Sequence, residues 1–132
     1  MDSSSGEIMM IKELLKKSRS YRGYDESRRI SKDELLEFVD CARFAPSSVN
    51  RQPLRYDLVY EKSEVDAFLP LTHWAMGLPD LKLPHPGKAP TAYIVICQET
   101  EWDADVHRYL KDVGIVAQTM LLAAGTGAGL PV

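Results

Sequence analysis

Two short stretches hold most of the side chains capable of chemistry. The first is Ala45-Pro46-Ser47-Ser48-Val49-Asn50-Arg51-Gln52-Pro53, where two prolines bracket two hydroxyls, two amides and a guanidinium. Proline fixes its own φ and biases the residue before it, here Ala45 and Gln52, away from the helical region. Such a loop begins with few conformations and can hold its polar groups in set directions. The competing meaning is a polar turn stiffened by proline, the commonest sense of a Ser/Asn/Pro cluster. The second stretch is Ser18-Arg19-Ser20-Tyr21-Arg22-Gly23-Tyr24-Asp25. In an extended chain, residues two apart share a face. Ser18, Ser20 and Arg22 would then point one way, Arg19 and Tyr21 the other. Guanidinium forks match phosphate oxygens, and hydroxyls can complete an anion cage. A solvated basic loop is the competing meaning. Neither a P-loop nor a GxGxxG spacing is present, so a phosphate site here would be built from side chains.

Other chemistry is sparse. His73, His85 and His107 have no metal-ligand spacing, and no metal site is expected. Asp103 and Asp105, near His107, read as helix caps rather than acid/base groups. Arg28, Arg29 and Lys32 read as solvated surface. Cys41 and Cys97 fall at apolar positions of a predicted helix and a predicted strand, without a CxxC pair. Buried free thiols and a reducing, cytoplasmic compartment are expected.

The elements that must position these stretches are well marked. Glu7 to Lys17 has Ile8, Ile11, Leu14 and Leu15 at helical spacing. Ser31 and Glu34 form a capping box for a helix running to about Arg43 or Phe44, with Leu35, Phe38, Val39 and Ala42 on one face. This helix delivers its C-terminal end into the Pro46 loop. Residues 56–60 read as a strand after the loop. Ser63 reads as the cap of a short helix to Leu69, and residues 73–76 as an apolar patch, helical or lying over a site. Five prolines and glycines between positions 79 and 90 mark an irregular, substrate-facing segment. Residues 91–97 are a continuous apolar run, expected to be a central strand buried on both faces. A helix capped by Thr100 or Asp103 and reaching about Ala124 carries an apolar stripe that widens in its second half. At about 22 residues it would be roughly 33 Å long. That length suits a subunit interface, where Gly114 and Ala117 allow close approach.

The chain of 132 residues has a hydrophobic fraction of 45% and a net charge of -3. These numbers fit one globular domain over 1–132, with residues 1–6 as a flexible N-terminus. An acidic chain without a basic run argues against nucleic acid as a partner. No apolar run is long enough to span a membrane.

Taken together, three segments resemble the FMN-dependent nitroreductase family, in that family's order. Arg19-Ser20-Tyr21-Arg22 is similar to its N-terminal Arg/Ser segment. Residues 45–53 resemble its Ala-Pro-Ser-x-x-Asn-x-Gln-Pro segment closely. Asp112-Val113-Gly114 through Gln118 to Ala124, ending in Gly129-Leu130, is similar to its long central helix and Gly-Leu turn. The resemblance implies an α+β, three-layer fold, a mixed or antiparallel sheet flanked by helices, assembled as an intertwined homodimer. It implies FMN as cofactor and NAD(P)H as co-substrate, with hydride passing to nitroaromatic or quinone-like acceptors. Arg19, Ser20 and Arg22 would hold the flavin phosphate and ribityl chain. Pro46, Ser47, Ser48 and Asn50 of the other subunit would close over the ring, with Gln52 bracing the loop. The flavin carries the chemistry, so no catalytic side chain is expected. The family domain continues past the Gly-Leu turn, so a C-terminally truncated member is expected. The alternative function is a non-catalytic or degenerate flavin-binding or dimerisation fragment.

Overall fold

The structure is a computed structural model that describes residues 3–99, 107 and 109–127. Helix α1 (Ser3–Lys17) leads into an irregular stretch, then α2 (Lys32–Ala42). Strand β1 (Leu54–Val59) follows, then α3 (Lys62–Phe68), strand β2 (Tyr93–Gln98) and α4 (Leu110–Gly127). Single 3-10 turns lie at Ser48–Asn50 and Leu69–Leu71.

The two strands pair antiparallel, from Leu54 opposite Gln98 to Val59 opposite Tyr93. This register places Leu54, Tyr56, Ile94 and Ile96 on one face. That face meets Ala42 of α2 and Val116 and Met120 of α4, with Phe38, Val39 and Val113 filling in around them. The α+β class is therefore realised, with helices α2 and α4 covering one side of an antiparallel sheet.

The capping box is present as the sequence requires. Ser31 Oγ accepts from the Glu34 amide at 3.2 Å, and Glu34 Oε2 accepts from the Ser31 amide at 2.8 Å. Helix α2 ends at Ala42, and three successive i→i+3 backbone bonds, from Arg43, Phe44 and Ala45, tighten the chain into Pro46.

Several expectations change. Helix α1 begins at Ser3 rather than Glu7, so residues 3–6 are helical. Much of its apolar face is exposed, with Ile8 at 65% and Ile11 at 58%, while Leu14 is half-buried. Ser63 is not the cap of α3; the cap position is Glu61, without a side-chain bond. Strand β2 is half-buried rather than buried on both faces, and Cys97 is exposed. The reason is the sheet itself. Among the described residues it has two strands, and the face away from α2 and α4 carries Arg55 and Asp57, with Arg55 bonded to Glu99. The expected start of the long helix, with Thr100, Asp103, Asp105 and Val106, lies outside the described residues, as does the Gly129-Leu130 turn. None of the described helices is long and apolar enough to cross a membrane.

Candidate functional site

The segment after α1 is shaped by its own neighbours. Arg19 Nη1 donates to the carbonyl oxygens of Ser18 at 2.8 Å and Leu15 at 3.3 Å. Tyr21 donates its hydroxyl to the Lys17 carbonyl. These groups satisfy the carbonyls that a helix end leaves open. Arg22 Nη1 donates to Ser20 O at 3.0 Å. Both guanidiniums are exposed and retain further N–H groups.

Arg19 and Tyr21 face a cavity of about 320 Å³ walled by Tyr24, Arg28, Trp74 and Tyr93. Ser20 and Arg22 do not line it. The alternation expected of an extended segment is thus present, except that Ser18 also faces the cavity. Tyr24 and Trp74 meet edge to face with centroids 6.1 Å apart. Burial pushes the Tyr24 hydroxyl up; burial, with Tyr24 adding, does the same to Tyr93. Tyr24 donates its hydroxyl to the Tyr21 carbonyl at 3.4 Å, and the buried Tyr93 hydroxyl has no partner among the described residues.

Arg28 is not the solvated surface residue the sequence suggested. It is partly buried, bonds Glu34 Oε1 through Nη2 at 2.8 Å, and keeps a buried Nη1 without a partner among the described residues. Arg29 reaches the Tyr60 carbonyl at 3.0 Å. The wall is tied across the chain by Tyr24 N to Lys88 O at 3.1 Å and Thr91 Oγ1 to Arg28 O at 2.8 Å. The apolar patch at 73–76 is irregular, and its Trp74 lies over this cavity.

The second stretch lies elsewhere. Pro46, Ser47, Asn50 and Gln52 line a separate cavity of about 230 Å³ with Arg55 and Asp112. Here the loop takes a conformation that two prolines alone do not impose. Val49, Asn50 and Gln52 have φ of 48°, 53° and 53°. Non-glycine residues rarely adopt this region, and a β-branched one least of all. Proline thus keeps Gln52 out of the right-handed helical region, as expected, but in the left-handed one.

Ser47 is the hub of the loop. Its hydroxyl donates to Asp112 Oδ2 at 2.5 Å and accepts from the Gln52 amide at 3.0 Å. Its carbonyl accepts from Asn50 N at 3.0 Å. Ser48 N donates to both oxygens of Asp112, at 3.1 and 3.2 Å. Gln52 Nε2 donates to Asn50 Oδ1 at 2.6 Å, bracing the loop as expected. This bond occupies the Asn50 amide oxygen. Ser48, Val49 and Asn50 form the exposed tip, with Val49 at 85%.

The structure therefore keeps the two predicted groups apart within one chain: Arg19, Ser20 and Arg22 on one side, Pro46, Ser47, Ser48 and Asn50 on another. It also adds residues that sequence reasoning missed. Asp112, 2% exposed, was legible as a lone carboxylate on the stripe of Tyr109, Val113, Val116 and Met120. Trp74 was signalled as part of the apolar patch, helical or lying over a site, whereas Arg28 gave no comparable signal, because only the fold brings it to the cavity wall. The described residues hold no cluster of His, Cys, Asp and Glu suited to a metal.

Fold and motifs together define a class, and comparison with known proteins supplies it. The Nitroreductase family matches residues 15–130. The chain belongs to the nitroreductase family. The Bacillus subtilis (strain 168) protein YdgI, named for an NAD(P)H nitroreductase, is 41% identical over 59 residues, which are 45% of this chain and 28% of that protein. A nitroreductase family protein from Clostridium difficile 630 superposes with a TM-score of 0.60 at 28% identity, covering 86% of this chain and 60% of its own. A nitroreductase with bound FMN from Bacteroides fragilis NCTC 9343 has the same fold, with a TM-score of 0.65 at 17% identity, covering 87% and 64%. The chain spans less than two thirds of the length of each of these relatives.

Proposed function

We propose that this chain is an FMN-dependent oxidoreductase working as an intertwined homodimer. It passes hydride from NAD(P)H through the flavin to small electron-poor acceptors such as nitroaromatics or quinones. The observation that carries this reading is the pairing of two exposed guanidiniums, Arg19 and Arg22, with a bonded loop whose tip, Ser48 to Asn50, is exposed. The donor set fits FMN. A phosphate dianion requires charge-assisted donors, and both arginines keep N–H groups beyond those bonded to the backbone. FMN, when bound, supplies the acceptance and release of hydride.

Arg19, Ser20 and Arg22 are the residues that would hold the phosphate and ribityl chain. Pro46, Ser48 and Asn50 of a second copy would cover the ring and meet its polar rim. Ser47 belongs to the same loop but acts through it, because its hydroxyl is already bonded to Asp112 and Gln52. A second copy is favoured because Arg19 lines one cavity of the chain while Pro46 and Asn50 line another. It is favoured also by the uncovered Ile8, Ile11 and Leu15 of α1 and Leu121 of α4. Gly114 meets nothing within 4 Å of an added Cβ, which leaves room for close helix approach. The two free cysteines suit a reducing, cytoplasmic setting.

The test is purification followed by flavin titration and addition of NADH or NADPH under nitrogen. A yellow dimer with one FMN per chain that bleaches on reductant supports the reading. Colour without bleaching replaces the enzyme with a binding module. A colourless folded dimer that takes up no FMN leaves a dimerisation unit.

A further inference from the structure

We propose that Asp112 is a positioning residue. Its buried carboxylate, on α4, sets the left-handed conformation of Val49, Asn50 and Gln52 and thereby the direction of the Asn50 amide. The flavin reading above enters only in what the loop covers; the clamp itself stands on geometry.

A carboxylate in a helix stripe that otherwise packs apolar residues is unfavourable unless its oxygens are bonded. Asp112 is 2% exposed. Among the described residues its partners are Ser47 Oγ at 2.5 Å and Ser48 N at 3.1 and 3.2 Å. The carboxylate thus grips two consecutive loop residues, one by side chain and one by backbone.

The loop needs such a grip. Val49, Asn50 and Gln52 occupy a region unfavourable to L-residues. Packing cannot hold Val49 there, since it is 85% exposed. What holds it is a relay. Asp112 fixes the Ser47 hydroxyl; that oxygen accepts from the Gln52 amide at 3.0 Å; the Gln52 side chain donates to Asn50 Oδ1 at 2.6 Å. The tie crosses 64 and 65 positions of sequence, so the placement of α4 dictates the shape of the loop. Ser47 serves this relay before any ligand.

The experiment compares backbone amide exchange in the full chain and its variants. In Asp112→Ala the Ser48 and Gln52 amides exchange about 10-fold faster or more, as local opening without a global change. Amides in the middle of α2 and α4 keep their rates, since alanine is the better helix former. Asp112→Asn keeps a carbonyl oxygen able to accept from both Ser47 and Ser48, and its rates return to within about 3-fold of the parent. Ser47→Ala reads the same tie from the loop side and decides the matter if Asp112→Ala does not fold. Unchanged loop exchange in the folded alanine variants overturns the clamp.

A parallel FMN titration separates the two ideas. If the parent binds FMN, Asp112→Ala binds about 10-fold more weakly or worse, and Asp112→Asn recovers most of the affinity. Faster loop exchange with equal affinity overturns the positioning role. If the parent takes up no FMN, the flavin reading fails, and the exchange rates alone decide the clamp.

Discussion

The segment at 18–22 and the loop at 47–52 are both polar, irregular and largely exposed, yet they are held in opposite ways. The first is held by bonds that reach at most four residues along the chain, from Arg19 to Leu15, Tyr21 to Lys17 and Arg22 to Ser20. Its shape follows from the end of α1. The second is held by a buried carboxylate more than sixty residues away. A site made of both is therefore local on one side and dependent on the whole core on the other. Damage to the core should reach the loop before it reaches the arginines.

The largest effect should come from that core. Met120→Ala removes a side chain 7% exposed, packed with Ala42, Leu54 and Val116. It should destabilise the chain by about 2–4 kcal/mol, read as a lower urea midpoint. A loss below about 1 kcal/mol would mean that α4 is not the support of the loop. On the other side of the comparison, Arg22→Ala should weaken FMN binding by about 10-fold or more, from a charge-assisted contact of roughly 1.5–3 kcal/mol. Its unfolding midpoint should stay within about 0.5 kcal/mol of the parent, because the residue is exposed. An unchanged flavin titration would remove Arg22 from the site.

Smaller effects sharpen the contrast. Ser31→Ala breaks the capping box of α2, the helix that delivers the chain to Pro46. The expected loss is about 1 kcal/mol by thermal or denaturant unfolding, with the 18–22 segment untouched.

Acid should act on the same helix end. The Ser31 amide, then Arg28, holds the Glu34 carboxyl below its ordinary value. Its contribution is present above the unfolded carboxylate pKa and fades as pH falls through the lowered folded value. Faster exchange at the first turn of α2 below about pH 4 is the readout. Constant protection of that turn down to pH 3 would show that the cap does not depend on the charge.

The smallest effect is at the loop tip. Val49→Gly relieves an unfavourable φ of 48° but loosens the unfolded chain, and the two nearly cancel. Stability should move by less than about 0.5 kcal/mol. A large loss would indicate that Val49 is held by contacts rather than by the relay through Ser47.

Much of this molecule was legible without coordinates. The Ser31/Glu34 capping box, the amphipathic runs and the two strands depend on spacings of two to four residues, and each lies close to where the pattern put it. The alternation of Arg19 and Tyr21 against Ser20 and Arg22 was legible for the same reason. The exposed Cys97 and half-buried β2 were not, because an apolar run does not say how many strands lie beside it. Arg28 looked like surface because no local pattern pairs it with the Glu34 carboxylate or brings it to the Trp74 wall.

The sequence by itself determined the family, the α+β class and the two polar stretches, since these rest on residue identity and short-range periodicity. Only the tertiary structure decided how the loop is held. Asp112 sits 65 residues from Ser47, and no local rule connects them. Packing α2 and α4 on one face of the sheet brings that carboxylate under the loop. Once it is buried there, its oxygens must be bonded, and Ser47 and Ser48 are the donors within reach.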